Sequence, residues 1–164
     1  MKSEKNWLIA GASFGLGLAA VKYLLSRKQI VIALVRDAKS FKTELIANPL
    51  LEVIILDPAS EAEVTWMCEK IGAKYGLIDK LINNGGATQV MIRRLLPLMQ
   101  TDGHIIDLSS GCGPAGIADA TTQHAAQYQC GLSEEIFLKA NDLGIKVTII
   151  EQESPVPGFS NNQY

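Results

Sequence analysis

The chain is short, nearly neutral and ordinary in composition. It has 164 residues, of which 48% are hydrophobic and 20% charged, and a formal net charge of −2. This length and balance predict one globular domain and argue against disorder. The charge gives no electrostatic support to nucleic acid or a membrane surface as a partner, and no apolar stretch approaches the roughly 20 residues that a bilayer span needs.

Short apolar runs alternate with segments of helical periodicity, which is typical of a parallel sheet covered by helices on both faces. The predicted strands are residues 7–10, 30–35, 51–56, 80–82, 104–108 and 146–150. The predicted helices are residues 15–26, 38–47, 60–74, 88–99 and 118–142. Residues 1–153 are therefore predicted to form one doubly wound α/β domain of Rossmann type, and residues 154–164 an irregular tail.

Two helix boundaries carry clear signals. Ser60 with Glu63 three residues later is the pattern of a capping box, and Gly144 is placed to end the last helix. Both signals concern structure alone.

The amino terminus and the cysteines predict the compartment. Residues 1–6 are polar and lead into the first strand, so we expect no secretory or transit segment before the fold. Cys68, Cys112 and Cys130 are scattered without metal-ligand spacing, which indicates reduced thiols packed in the core and no metal site. Cytoplasm is the expected location.

The first strand runs directly into a glycine-rich turn, Gly11-Ala12-Ser13-Phe14-Gly15-Leu16-Gly17, and a helix begins within it. Gly11 permits a tight turn, Gly15 lets backbone approach a pyrophosphate, and Gly17 lets the helix pack close to the sheet. The free N–H groups at the helix start attract an anion. We therefore expect Gly11, Ser13, Phe14, Gly15, Leu16 and Gly17 to bind a dinucleotide, the alternative being a glycine turn without a ligand.

The spacing Gly-x-x-x-Gly-x-Gly resembles that of the short-chain dehydrogenase/reductase family. Four further segments resemble family motifs in the right order: Leu81 to Gly86 with its Asn-Asn pair, Gly103 to Ser110, Gly131 to Glu134, and Gly144 to Thr148. The resemblance implies a three-layer α/β/α fold with a single sheet in strand order 3-2-1-4-5-6. It also implies an NAD(P)-dependent oxidoreductase that acts on a carbonyl or an alcohol.

The residue after the second strand decides between the two cofactors, because an acid bonds the ribose 2′-hydroxyl whereas an arginine accepts the 2′-phosphate. Here Val35 is followed by Arg36, which favours NADP(H), although the adjacent Asp37 keeps NAD(H) open. Arg36 as a solvated charge at a helix start is the alternative.

Further cofactor positions follow from the resemblance. Asp57 matches an adenine-contacting aspartate, with a strand-end cap as its alternative role. Asn83, Asn84 and Gly85 match positions that line the adenosine ribose.

The family's tyrosine acid/base needs a lysine four residues later, because a phenol with a pKa near 10 works at neutral pH only beside a cation. No such pair exists here. The residues four beyond Tyr23, Tyr75 and Tyr128 are Arg27, Asp79 and Leu132, and Tyr164 is the last residue. Aligning by spacing places the pair at Gln123 and Gln127, or at Thr122 and Ala126, none of which titrates near neutrality.

Three candidates remain for a divergent site. Ser110 matches the substrate-orienting serine, and His124 or Tyr128 is a substitute acid. Their structural alternatives are a turn residue, a helix-surface histidine and a packed aromatic.

The segment between Gly86 and Gly103 is shorter than in the family, and Gln152-Glu153 replaces the Pro-Gly expected after the sixth strand. These departures predict an incomplete substrate pocket and a degenerate active site. The sequence predicts an NADP(H)-binding protein without standard hydride transfer, the alternative being a divergent oxidoreductase that uses Ser110 and a substitute acid on an unknown small molecule. We also expect a homodimer through the helix at residues 118–142.

Overall fold

Six parallel strands form one sheet, as the apolar runs predict. The computed structural model describes residues 4–37, 39, 41, 43–84, 89–109 and 138–151. The strands are β1 (Asn6–Ala10), β2 (Ile30–Val35), β3 (Leu51–Ile55), β4 (Ile78–Asn83), β5 (Met99–Ser109) and β6 (Lys146–Glu151). Their order is β3-β2-β1-β4-β5-β6, and every neighbouring pair is parallel. This confirms the predicted doubly wound topology, with its reversal between β1 and β4.

The helices follow the predicted positions with two differences in length. They are α1 (Gly15–Ser26), α2 (Thr43–Ile46), α3 (Glu61–Tyr75) and α4 (Gln89–Leu95), and residues 138–142 are also helical. In the described part, α2 is shorter than the predicted 38–47, since the Asp37 carboxylate accepts the Lys39 N–H at 3.0 Å and forms a turn ahead of it. α4 gives way to a 3₁₀ turn, Leu96–Leu98, because Pro97 has no N–H to continue the α-helical pattern.

Strand β5 begins five residues earlier than predicted. Its register against β4 shifts between Ile78 and Lys80, where Ile78 pairs with Met99 and Lys80 pairs with His104. Asp102 lies within the shifted stretch at φ +67°. This irregular stretch contains polar residues and therefore has no apolar run, which is why the sequence pattern does not predict it as a strand.

Apolar side chains cover both faces of the sheet. Leu8 and Ile32 pack on one face with residues of α3 and α4, such as Met67 and Leu95. Ile9, Val31 and Ala33 pack on the other with Val21, Leu24 and Leu25 of α1. Because neighbouring strand residues point to opposite faces, the unbroken apolar runs are explained by burial on both sides.

The predicted helix boundaries are present. Ser60 caps α3 by accepting the Glu63 N–H at 3.4 Å, while the Glu63 carboxylate accepts the Asp57 N–H at 2.7 Å. Glu63 thus ties α3 to the end of β3 at Asp57. Gly144 follows the helical residues at φ +71°, and the Ile145 N–H bonds the Ala140 carbonyl at 2.8 Å.

Candidate functional site

Two glycines of the turn between β1 and α1 leave no room for a side chain. Gly11 has φ +77°, and a Cβ atom added to it would overlap the backbone carbonyl oxygen of Asn84. A Cβ added to Gly17 would overlap the carbonyl oxygen of Gly11. Gly15 has φ +54° and open space within 4 Å of its added Cβ position, so the backbone there is accessible to a ligand.

Asn84, at the end of β4, holds this turn in place. Its N–H bonds the Ala10 carbonyl at 3.0 Å, and its side-chain Nδ2 donates to the Gly11 carbonyl at 3.1 Å. The second of the paired asparagines therefore braces the glycine turn across the sheet.

Helix α1 begins beside the turn without the usual capping group. Its N-cap is Phe14, whose side chain makes no capping hydrogen bond, and its first turn has no acidic residue. The first N–H groups of a helix lack intrahelical partners and carry partial positive charge. The start of α1 is therefore suited to an anionic group such as a diphosphate.

A cleft of about 230 Å³ opens at the carboxyl ends of β1 to β4. Its described lining comprises Gly11, Ser13, Phe14, Leu34, Val35, Arg36, Asp37, Leu56, Pro58, Asn84 and Met91. Among these described residues Arg36 is the one cation and Asp37 the one anion, and both are exposed. The cleft thus combines apolar walls with a turn suited to an anion and a cation on its rim.

Eight of the predicted cofactor residues belong to the cleft lining or to the glycine turn. Gly11, Ser13, Phe14, Arg36 and Asn84 line the cleft. Gly15, Leu16 and Gly17 belong to the turn and to the start of α1 but do not line the cleft.

Asp57 and Asn83 are engaged elsewhere in the described structure. The Asp57 carboxylate accepts the Ala59 N–H at 2.9 Å, which is the strand-end capping role. Asn83 is buried, and its Nδ2 donates to Asp107 Oδ1 at 2.8 Å. Neither residue lines the cleft.

Gly85, Ser110, His124 and Tyr128 lie outside the described residues, as does most of the predicted helix at 118–142. The roles inferred for them stay predictions.

Several described residues of the site were not predicted from the sequence. The cleft walls Leu34, Leu56 and Met91 are also members of the hydrophobic core. The pairing of Asp107 with Asn83, by contrast, could have been suspected from the sequence. An isolated carboxylate within an apolar strand is rarely buried unless it is paired.

A second polar cluster ties the edge strand β3 to α3, away from the cleft. The Glu52 carboxylate accepts from Lys70 at 2.8 Å, Lys74 at 2.7 Å and the Tyr75 hydroxyl at 2.5 Å. Burial by itself raises the pKa of Glu52, but the hydrogen bonds from its three donors outweigh it and lower that pKa from 4.5 to about 2. Burial and the bond to Glu52 raise the pKa of Tyr75. The Tyr75 phenol is thus more weakly acidic than usual.

Metal binding and membrane insertion can also be considered for the described part of the chain. No group of three or more His, Cys, Asp or Glu side chains there is placed to hold a metal ion. No helix described there is long and apolar enough to cross a bilayer. Cys68, the described cysteine, is half-buried, and burial raises the pKa of its thiol.

Comparison with known proteins identifies the family. Residues 5–91 match the short chain dehydrogenase family. An oxidoreductase of Botryotinia fuckeliana is 27% identical over 177 aligned residues, which cover 90% of this chain and 64% of the relative. A short-chain dehydrogenase structure from Streptomyces avermitilis superimposes with a TM-score of 0.79 at 26% identity, covering 96% of this chain and 68% of that one.

A metagenomic short-chain oxidoreductase, solved in complex with NADP, shares the fold with a TM-score of 0.74 at 20% identity, over 93% of this chain and 82% of that one. This chain spans less than two thirds of the length of the Botryotinia relative. Its matched segment contains β1, the glycine turn, Arg36 and Asn84, which are the parts that build the cleft. The chain belongs to the short-chain dehydrogenase family.

Proposed function

We propose that this protein binds NADP(H) in the cleft at the ends of β1 to β4 and does not carry out the family's standard hydride transfer. The observation that carries the proposal is the cleft itself, which joins the tight glycine turn at Gly11 to an apolar pocket with Arg36 on its rim. These are the elements that a phosphorylated adenine dinucleotide requires.

The described residues fit the adenosine diphosphate half of the cofactor. The uncapped start of α1 and the open backbone at Gly15 suit the diphosphate, and Leu34, Leu56 and Pro58 offer apolar contact to the adenosine. The guanidinium of Arg36 suits the 2′-phosphate. A bound nicotinamide ring supplies a hydride donor or acceptor; the protein's part is to hold and orient it.

The preference for NADP(H) over NAD(H) rests on Arg36. Asp37, the one anion of the described lining, is the residue that would favour the free ribose hydroxyl of NAD(H), and one of its carboxylate oxygens accepts the Lys39 N–H. Two neighbours in the family, the metagenomic oxidoreductase and Pseudomonas aeruginosa RhlG, were solved as NADP complexes, which agrees with this preference.

The proposed loss of catalysis rests on the sequence. The chain has four tyrosines, and none is followed by a lysine four residues later, so the acid/base pair is missing. A divergent oxidoreductase using Ser110 with His124 or Tyr128 is the competing hypothesis. Cytoplasmic location and dimerisation through residues 118–142 stay predictions.

Calorimetric titration with NADP⁺ and NAD⁺ tests the binding. We expect NADP⁺ to bind the more tightly, and Arg36→Met to weaken NADP⁺ binding by roughly 10- to 100-fold, as expected for a lost hydrogen bond to a charged group. The NAD⁺ affinity should change little. Lys39→Met is the matched control, because Lys39 is a nearby exposed cation outside the cleft lining.

A second assay tests the loss of catalysis. NADPH oxidation is followed with a panel of aldehydes and ketones, and we expect no turnover. Turnover that Ser110→Ala abolishes would support the divergent oxidoreductase instead. If neither cofactor binds, the proposed function is wrong.

A further inference from the structure

Phe14 occupies an unusual position at the mouth of the cleft. It is the N-cap of α1, its backbone is extended at φ −151° and ψ 175°, and its side chain is 63% exposed. Phe14 also lines the cleft, together with Leu34 and Val35 of β2 and with Leu56 beyond β3. A largely exposed aromatic residue thus borders the space that a ligand would fill.

Two local preferences are broken at this residue. An N-cap favours Ser, Thr, Asn or Asp, whose side chains bond the first free N–H groups. A large aromatic side chain is usually buried. Residues that break local rules without a structural gain are expected at functional sites. Leu16, two residues later, is also 52% exposed but does not line the cleft, so exposure alone does not distinguish the two.

We propose that Phe14 contacts the adenosine moiety and sets the affinity for adenine nucleotides in general, without distinguishing those that carry a 2′-phosphate. This inference rests on the proposed nucleotide binding. The phenyl ring offers a flat apolar face, on which a base or ribose packs, and it has no hydrogen-bonding group with which to recognise a phosphate.

The affinity for adenosine-containing ligands and the preference for NADP(H) over NAD(H) are therefore determined by different residues. Phe14 contributes binding that is common to all adenosine-containing ligands, while Arg36 is the one cation of the described lining and contributes only when a 2′-phosphate is present. The described cleft consists of residues suited to the adenosine half. Fragments without nicotinamide, such as 5′-AMP and adenosine 2′,5′-bisphosphate, are thus ligands of this site.

Calorimetry with these two fragments tests the proposal on the full chain. We expect Phe14→Ala to weaken both by the same factor, about 10- to 30-fold, a value within the range for removing an aromatic ring from a stacked base. Tyr23→Ala, which removes an exposed aromatic ring of α1 outside the described cleft lining, should leave both affinities within about twofold of the wild type. Phe14→Tyr, which keeps the ring, should restore most of the binding.

Phe14→Ser separates a binding role from a structural one. Serine provides the missing cap, so the Tm of the free protein should rise by about 2–4 °C. Its affinity for both fragments should fall as it does in Phe14→Ala. A residue with a merely structural role would not change stability and binding in opposite directions.

Two results would overturn the inference. One is a Phe14→Ala variant that binds both fragments as tightly as the wild type. The other is an equal loss of binding in Tyr23→Ala. If the wild-type protein binds neither the fragments nor NADP⁺, the proposed function fails and the inference falls with it, and that outcome is distinct from the first two.

Discussion

The cluster around Glu52 makes stability depend on pH in a way that the structure allows us to calculate. Glu52 lies on the edge strand β3, its side chain is 12% exposed, and it accepts hydrogen bonds from three donors on α3. Glu52→Gln keeps the shape of the side chain but removes the charge that Lys70 and Lys74 neutralise. We expect this substitution to lower the free energy of unfolding at neutral pH.

The magnitude follows from the pKa of Glu52, which is lowered from 4.5 to about 2. Each unit of difference between the folded and the unfolded pKa corresponds to about 1.4 kcal/mol, so the full shift gives an upper limit of roughly 3.4 kcal/mol. The two lysine side chains are 39% and 57% exposed, so solvent screens the attraction. We therefore expect a loss of about 2 kcal/mol.

The sign of the pH dependence follows from the same shift. A carboxyl group whose pKa is lowered by folding contributes its stability above the unfolded pKa and loses it as the pH falls towards the folded pKa. The difference between wild type and Glu52→Gln should therefore be constant above about pH 5.5 and shrink steadily from there towards pH 2. Urea unfolding followed by circular dichroism at pH 7, 5, 4 and 3 measures it.

Glu61→Gln is a suitable control, because it also removes the charge of a glutamate that is paired with a cation. Glu61 also pairs with a cation, Arg94 at 2.7 Å, but both side chains are more than half exposed. Its loss should cost no more than about 1 kcal/mol. A Glu52→Gln effect that stays equally large at pH 3 would refute the reasoning, because it would show that packing and not charge is responsible.

The remaining predictions concern the glycines and the buried pair. Gly17→Ala should weaken nucleotide binding by at least about tenfold in calorimetry, because the added Cβ would overlap a carbonyl oxygen of the turn and displace the start of α1. Gly72→Ala should raise the free energy of unfolding by about 0.5–1 kcal/mol in urea titration, since it lies inside α3 and its added Cβ meets nothing closer than 3.5 Å. Asp107→Ala should lower that free energy by about 2–4 kcal/mol by leaving the buried Asn83 amide without this acceptor, while Asp107→Asn, which keeps an oxygen there, should cost less.

The sheet was predictable because burial on both faces leaves an unbroken apolar run, as in Ile30–Val35, where the predicted and observed bounds coincide. The glycine turn was predictable because sterics restrict its positions to glycine, as at Gly11 and Gly17. β5 was less predictable, since the bulged stretch around Asp102 has polar residues and a backbone irregularity that no periodic pattern indicates.

The cleft was only partly predictable, and the reason is chemical. Leu34, Leu56 and Met91 contact both the core and the cleft, and an apolar residue gives the same sequence signal in either place. Asn83 and Asn84 were both expected near the cofactor, but only Asn84 lines the cleft. Successive strand residues point to opposite faces, so adjacent positions in one motif take different roles.

That division of roles bears on the proposed separation of nucleotide binding from catalysis. At the reversal point of the sheet, Asn83 bonds Asp107 on β5, while Asn84 bonds the Ala10 carbonyl at the end of β1 and the Gly11 carbonyl in the turn, so the end of β4 is tied to both of its neighbours. The Asn84 bond braces the glycine turn, and neither of these two bonds is made by Ser110 or by the positions where the tyrosine and lysine would stand. Replacing those catalytic side chains would therefore leave both bonds in place. We expect a protein of this family that has lost its acid and base to be able to keep the glycine turn, because Gly11, Gly17 and Asn84 maintain its shape.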